Sequence, residues 1–287
     1  MTASLAPAQQ NLERAAIGSE HWLEGEVQRY LDSGEYDSNL TGGPGDNFAE
    51  VAQQAMQRLR TALVEETLRR ARGLGSQVSV PINLNGWARD KLSPMFNGLF
   101  PAHERSVVVE ALARGVVFLT PQNISFVLMK QTWPSTAWNL ANLYLTSVGA
   151  PAFAQDACHI VGLSEETTCF ISTLYFDDAD PFADFVVHEA AHVFHNCKRS
   201  TVGLEENRRT EFLLRIDYAK RETFAYACEA YSRITSMANS VRQREDALER
   251  HANGTLPPDE RVDHKEYLDI LGEAVRIRNV SVTPATS

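Results

Sequence analysis

Apolar and polar positions along the 287-residue chain alternate between two periods. At the start the spacing is helical: Leu12, Ile17, Trp22, Val27 and Leu31 predict an amphipathic helix within residues 1–31. "DSGEYDSNLTGGPGDN" (32–47) then collects Gly, Pro, Asp, Asn and Ser, which predicts a loop and the best domain boundary in the chain. A long helix is expected from Phe48 to Arg72, stopped by Gly73 and Gly75. "QVSVPINLN" (77–85) alternates apolar and polar residues and predicts a strand, placed at an edge by Pro81. "GVVFLTPQNISFVLM" (115–129) reads as two short strands around "TPQN". "STAWNLANLYLTSVG" (135–149) reads as a helix ended by Gly149.

Two β-rich runs separated by a polar turn in "CHIVGLSEETTCFISTLYF" (158–176) predict a hairpin. Beyond it only helices are expected, at 181–196, about 208–247 and 263–278. The order is helix, mixed strands, hairpin, helices, so the expected class is α+β. The expected organisation is an N-terminal helical segment and linker (1–47), a helix-rich region with part of the sheet (48–150), and a C-terminal α+β domain (151–287).

Composition narrows the function. The chain carries 27 Lys+Arg against 37 Asp+Glu, a formal charge of −10. Such a surface repels phosphate backbones, so no nucleic-acid partner is expected. No stretch approaches the roughly 20 apolar residues that span a bilayer, so no membrane partner is expected either. "MTASLAPAQQNLERAA" lacks a basic region and an apolar core, so it does not read as a secretory signal. Cys158, Cys169, Cys197 and Cys228 form no CxxC pair, and reduced thiols in a cytoplasmic protein are the expectation. Cys158 and Cys169 could still face each other across the hairpin, which leaves one disulfide open.

The densest chemistry lies in "HEAAHVFH" (188–195). Asp180 can cap the helix that carries it, and Pro181 suits a first turn. His188 and His192 are four apart, so both imidazoles leave one face, about 6 Å apart in rise. Two nitrogens so placed can bind one Zn²⁺ at roughly 2.1 Å. Glu189 sits about 100° further round and flanks the ion instead of binding it, where a carboxylate can take a proton from an attacking water. By independent residue frequencies this five-residue pattern would occur only about 0.02 times in such a chain. His195 lies about 10 Å in rise from His188, too far to share the same ion, and is expected to pack or to support the ligands.

His188-Glu189-Ala190-Ala191-His192 resembles the active-site motif of the zincin metallopeptidases. The metzincin branch wants Gly three residues after the second histidine and His or Asp six after. His195 and Lys198 stand there instead. The resemblance is therefore to the gluzincins, whose third ligand is a glutamate on a later helix. Glu222, in "ETFAYACE", looks like the Glu-x-Phe-Ala context of that ligand; Glu211 has the aminopeptidase-like spacing, with eighteen residues between it and His192, but not the context. Glu229 is a third option, with the alternative role of orienting a histidine.

The resemblance implies Zn²⁺ held by His188, His192 and Glu222, with Glu189 as general base and a peptide or protein substrate. A zincin also stabilises its oxyanion with a Tyr or His. Tyr226 is the first choice, ahead of Tyr231, His251, His264 and Tyr267. The strand "CFISTLYF" (169–176) is placed to align substrate as an added strand, or to be an ordinary core strand. Two rivals stand beside this reading. One is a binding or regulatory protein pinned by zinc, with a fourth ligand from His195, Cys197 or Cys228. The other is a zinc hydrolase of a non-peptide bond.

Overall fold

A computed structural model of the chain describes residues 15–37, 45–75, 79–154, 161–206 and 211–277. Among them the order is α1 (Glu20–Ser33), α2 (Phe48–Arg70), α3 (Leu84–Leu99), α4 (Ala102–Arg114), β1 (Val116–Phe118), α5 (Ile124–Lys130) and α6 (Pro134–Ser147). Then follow β2 (Gly162–Glu165), β3 (Thr168–Ile171), α7 (Phe185–Asn196), α8 (Arg221–Met237), α9 (Val241–Ala252) and α10 (His264–Arg276). The class is α+β, mostly helical, as the order of patterns predicts. No described helix is long and apolar enough to cross a membrane.

By contacts the chain divides into two units. Residues 1–73, 124–145 and 150–158 form one, and residues 74–123, 146–149 and 159–287 form the other. In the first, Ser19 accepts a hydrogen bond from the Trp22 amide to open α1, and Gly34, at φ 74°, closes it. Asn47 caps α2 through the Glu50 amide. Tyr30 donates to the Pro134 carbonyl at 2.6 Å and Trp138 donates to Leu31 at 2.9 Å, which fastens α1 to α6.

The second unit holds the sheet, in the order β1-β3-β2. β1 runs parallel to β3, with Val117 opposite Phe170, and β2 runs antiparallel to β3, with Leu163 opposite Phe170. The predicted hairpin is therefore present at 162–171, turned through Glu166 at φ 52°. One expectation falls with this order. "CFISTLYF" is strand only to Ile171, and both its edges are already paired, so it cannot take up a substrate as an added strand.

Other boundaries move for local reasons. No strand occupies residues 79–85; the Asn83 side chain accepts from the Gly86 amide and opens α3 at Leu84. Residues 76–78 lie outside the described residues, as does Cys158. The second strand expected around "TPQN" is helix α5, because Ile124, Val127 and Leu128 are buried at a helical spacing. α7 begins at Phe185 instead of Pro181: Asp178 and Asp180 accept from the Asp180 and Phe182 amides in turns, and Asp184 takes the cap position. Of the helix expected over about 208–247, residues 208–210 lie outside the described residues and 211–220 are not α-helix. The rest divides into α8 and α9, with Ser240 accepting from the Gln243 amide to restart the helix.

The core of this unit gathers around α7. Val186, Val187, Ala190, Ala191, Val193 and Phe194 are each at most 1% exposed. They pack against α3, α8, β2 and β3. Phe194 meets Phe96 and Phe100 edge-on at 5.4 and 5.5 Å. Burying each such side chain contributes about 1.5–3 kcal/mol, so the helix is held by its surroundings on nearly every side.

Candidate metal centre

His188 and His192 leave one face of α7, and Glu222 reaches them from the first turn of α8. The Nε2 atoms of the two histidines are 3.1 Å apart, and Glu222 Oε2 lies 3.4 Å from His192 Nε2 and 3.8 Å from His188 Nε2. Donors placed about 2.1 Å from a tetrahedral Zn²⁺ stand about 3.4 Å from one another. The observed edges bracket that value, so the three side chains fit one ion of this size. Among the described residues, only these three His, Cys, Asp or Glu side chains converge in this way.

The donors are held from behind. His188 Nδ1 donates to Glu229 Oε2 at 3.1 Å, which fixes the ring with Nε2 toward His192 and Glu222. Glu222 Oε1 is paired with Arg261 at 3.0 Å, and Arg261 is itself gripped by Asp259. Burial alone would raise the Glu222 carboxyl, but both histidines and Arg261 outweigh it and hold the group well below the ordinary carboxylate range. Burial would likewise lower the His188 imidazole, yet Glu222 and Glu229 raise it to about 10. The carboxylates thus favour positive charge at the place a metal cation would occupy.

Glu189 follows His188 on α7 and is 8% exposed. Burial raises its pKa, against the pull of His188, His192 and a hydrogen bond with Ser164. β2 lies directly against it: a Cβ on Gly162 would stand 2.5 Å from Glu189 Cγ and 2.8 Å from Oε1. A carboxyl so enclosed is poised to exchange a proton nearer neutral pH than a solvated one.

The structure separates the competing candidates. Glu211 turns to Lys198, 2.8 Å away, and does not join the cluster. Glu229 takes the orienting position instead of the ligand position. Tyr226 packs edge-on against His188 with ring centroids 4.5 Å apart, and burial pushes its hydroxyl up to about 12. Tyr231 belongs to the separate cluster around Tyr267 and Leu271. His251 bonds Tyr267 at 2.5 Å and His264 bonds the Pro257 carbonyl at 2.9 Å, so these three are engaged elsewhere. His195 lies 6.2 Å from His192 ring to ring, and neither of its nitrogens has a hydrogen-bond partner. Cys197 and Cys228 are buried free thiols outside the donor group.

Sequence reasoning missed Arg261, Gly162 and Asp184. Only Gly162 carried a signal, as a glycine inside a β-rich run. No family model, no curated protein and no solved structure matches the chain.

Proposed function

We propose that this chain is a zinc-dependent peptidase of the zincin kind, gluzincin-like in its use of a glutamate as third ligand. The observation that carries the reading is a buried His-His-Glu donor set with no fourth protein donor among the described residues. Structural zinc sites close with four protein ligands, whereas catalytic sites leave one position open. His188, His192 and Glu222 would hold the ion, which when bound supplies Lewis acidity toward a carbonyl and lowers the pKa of water. Glu189 accepts the proton of the attacking water and passes it to the leaving amine, a task its raised pKa suits. Glu229 and Arg261 keep His188 and Glu222 in register. Tyr226, beside His188, is the candidate donor to the developing oxyanion. The substrate would be a peptide or protein, and the setting cytoplasmic.

Zinc content per chain tests the centre, in the wild type and in Glu222→Ala and Glu211→Ala, with folding checked by circular dichroism. One zinc in the wild type and in Glu211→Ala, and none in Glu222→Ala, is the expected result. Loss in Glu211→Ala alone would reject the assignment. Hydrolysis of a peptide library by the wild type but not by Glu189→Gln tests the chemistry. Zinc-loaded protein inert in that assay, and unaffected in partner binding by Glu189→Gln, would favour the zinc-pinned binding protein.

A further inference from the structure

Asp184 opens α7, and its carbonyl accepts from the His188 amide at 3.0 Å. An aspartate at this position ordinarily turns its carboxylate onto first-turn amides. Here the side chain caps none of them. Instead the carboxylate, 2% exposed, accepts from Lys91 Nζ at 3.0 Å through Oδ2 and from the Tyr175 hydroxyl at 3.2 Å through Oδ1. The Asp184 amide meanwhile donates to Glu229 Oε1 at 2.5 Å, and Glu229 Oε2 holds His188 Nδ1.

Bonded groups therefore run without a gap from Lys91 and Tyr175, through Asp184 and Glu229, to His188. Any shift of Asp184 acts on His188 twice. It moves the helical turn that carries the residue, and it moves the carboxylate that sets its ring. We propose that Asp184 is a positioning residue for the metal centre, locked by Lys91 and Tyr175; the inference rests on the reading that His188, His192 and Glu222 bind zinc.

The locking cation is a specific choice. Asp184 is a buried carboxylate whose backbone amide is bonded to a second buried carboxylate, Glu229, and Lys91 supplies the countercharge to Asp184. Its ammonium lies over two aromatic faces, with Nζ 5.6 Å from the Trp87 ring and 5.7 Å from the Tyr175 ring. Lys91, Trp87 and Tyr175 also line a cavity of about 250 Å³ together with Phe176 and Arg233. The support of a buried ligand is thus anchored on a side chain that solvent reaches, 27% exposed.

The test is zinc affinity by competition with a chromophoric chelator, together with the visible spectrum of the Co²⁺-substituted protein. Both are measured on the wild type, Asp184→Asn, Tyr175→Phe, Lys91→Met and Lys91→Arg, each checked for folding by circular dichroism. Asp184→Asn and Lys91→Met should weaken zinc binding about tenfold and shift the Co²⁺ bands, as loss of an outer support does. Lys91→Arg should restore both. Folded Asp184→Asn and Lys91→Met proteins with wild-type affinity and wild-type bands would reduce the network to packing and overturn the inference. Should Asp184→Asn fail to fold, Lys91→Met decides alone. A wild type that takes up neither ion would overturn the metal centre first, and this inference with it.

Discussion

Gly162 and Glu189 show how little room surrounds the chemistry at the scale of single residues. A methyl group at 162 would press on the Glu189 side chain at 2.5 Å, and Glu189 is too enclosed to step aside freely. Gly162→Ala should therefore cost about 1–3 kcal/mol in a denaturant melt, the usual penalty of overpacking. A melt unchanged from wild type would mean that β2 yields and that the contact is soft. Glu229 makes a different kind of demand. Glu229→Gln keeps the volume but replaces one carboxylate oxygen with a donor, so it cannot accept from both His188 Nδ1 and the Asp184 amide. Zinc affinity should fall 10- to 100-fold in chelator competition. Affinity equal to wild type would show that His188 is oriented by its helix alone. The three side chains that could hold a metal were legible because their signal is local: two histidines four apart and a glutamate further on. Their supports were not. Arg261 sits in "PDERVD", where nothing nearby marks it, and Asp184 reads as one more acid in a run of four.

Elements were legible where the pattern was long, and misread where it was short. α2, α6 and α10 follow their predicted spans closely, since a helical period repeated over several turns has no rival. α5 is only Ile124–Lys130, and seven mostly apolar residues fit a strand as well as a helix until burial picks a period. Strand order lay beyond any local pattern, because β1 and β3 pair across roughly fifty residues. α7 is the element on which the site depends, and its stability comes from neighbours. Phe194→Ala would empty the space between Phe96 and Phe100 and should cost about 3–5 kcal/mol, read by chemical denaturation. A loss under 1 kcal/mol would mean that the core closes over the gap. α2 carries a pH-dependent term of its own. Hydrogen bonds from Arg69 and then Arg70, against burial, lower the Glu66 carboxyl from 4.5 to about 2. The folded state binds this proton more weakly than the unfolded state. Its stabilisation is therefore complete above pH 4.5 and disappears as pH falls toward 2. Wild type should lose more stability than Glu66→Gln across that window; parallel acid titrations would remove the ion pairs from the account.

Across the whole molecule, charge links the residues and elements above. The chain is formally −10, and four of its carboxylates, Asp184, Glu189, Glu222 and Glu229, are buried together where α7 meets α8 at 2, 8, 7 and 3% exposure. Buried acids are tolerated only when they are paired, protonated or bound to metal. Lys91 answers Asp184 and Arg261 answers Glu222, which leaves the imidazoles to carry the remaining balance. In the absence of an ion, Glu222 and Glu229 raise the His188 pKa and favour a proton there. A divalent cation held by His188, His192 and Glu222 would replace the proton and add a further positive charge among the acids. Binding confined to the folded state stabilises it by about 2.7 kcal/mol when free zinc is a hundredfold above its dissociation constant. For a chain of this size, that is a rise of roughly 5 °C in the melting temperature. Thermal melts of chelator-stripped protein with and without added zinc measure it directly. The expected rise should vanish in Glu222→Ala and survive in Glu211→Ala, because Glu211 is tied to Lys198 at the surface. Equal rises in wild type and Glu222→Ala would place the zinc elsewhere on the chain. No rise in any of the three would mean that the buried acids are balanced by the proton alone, and that "HEAAH" has no metal to serve.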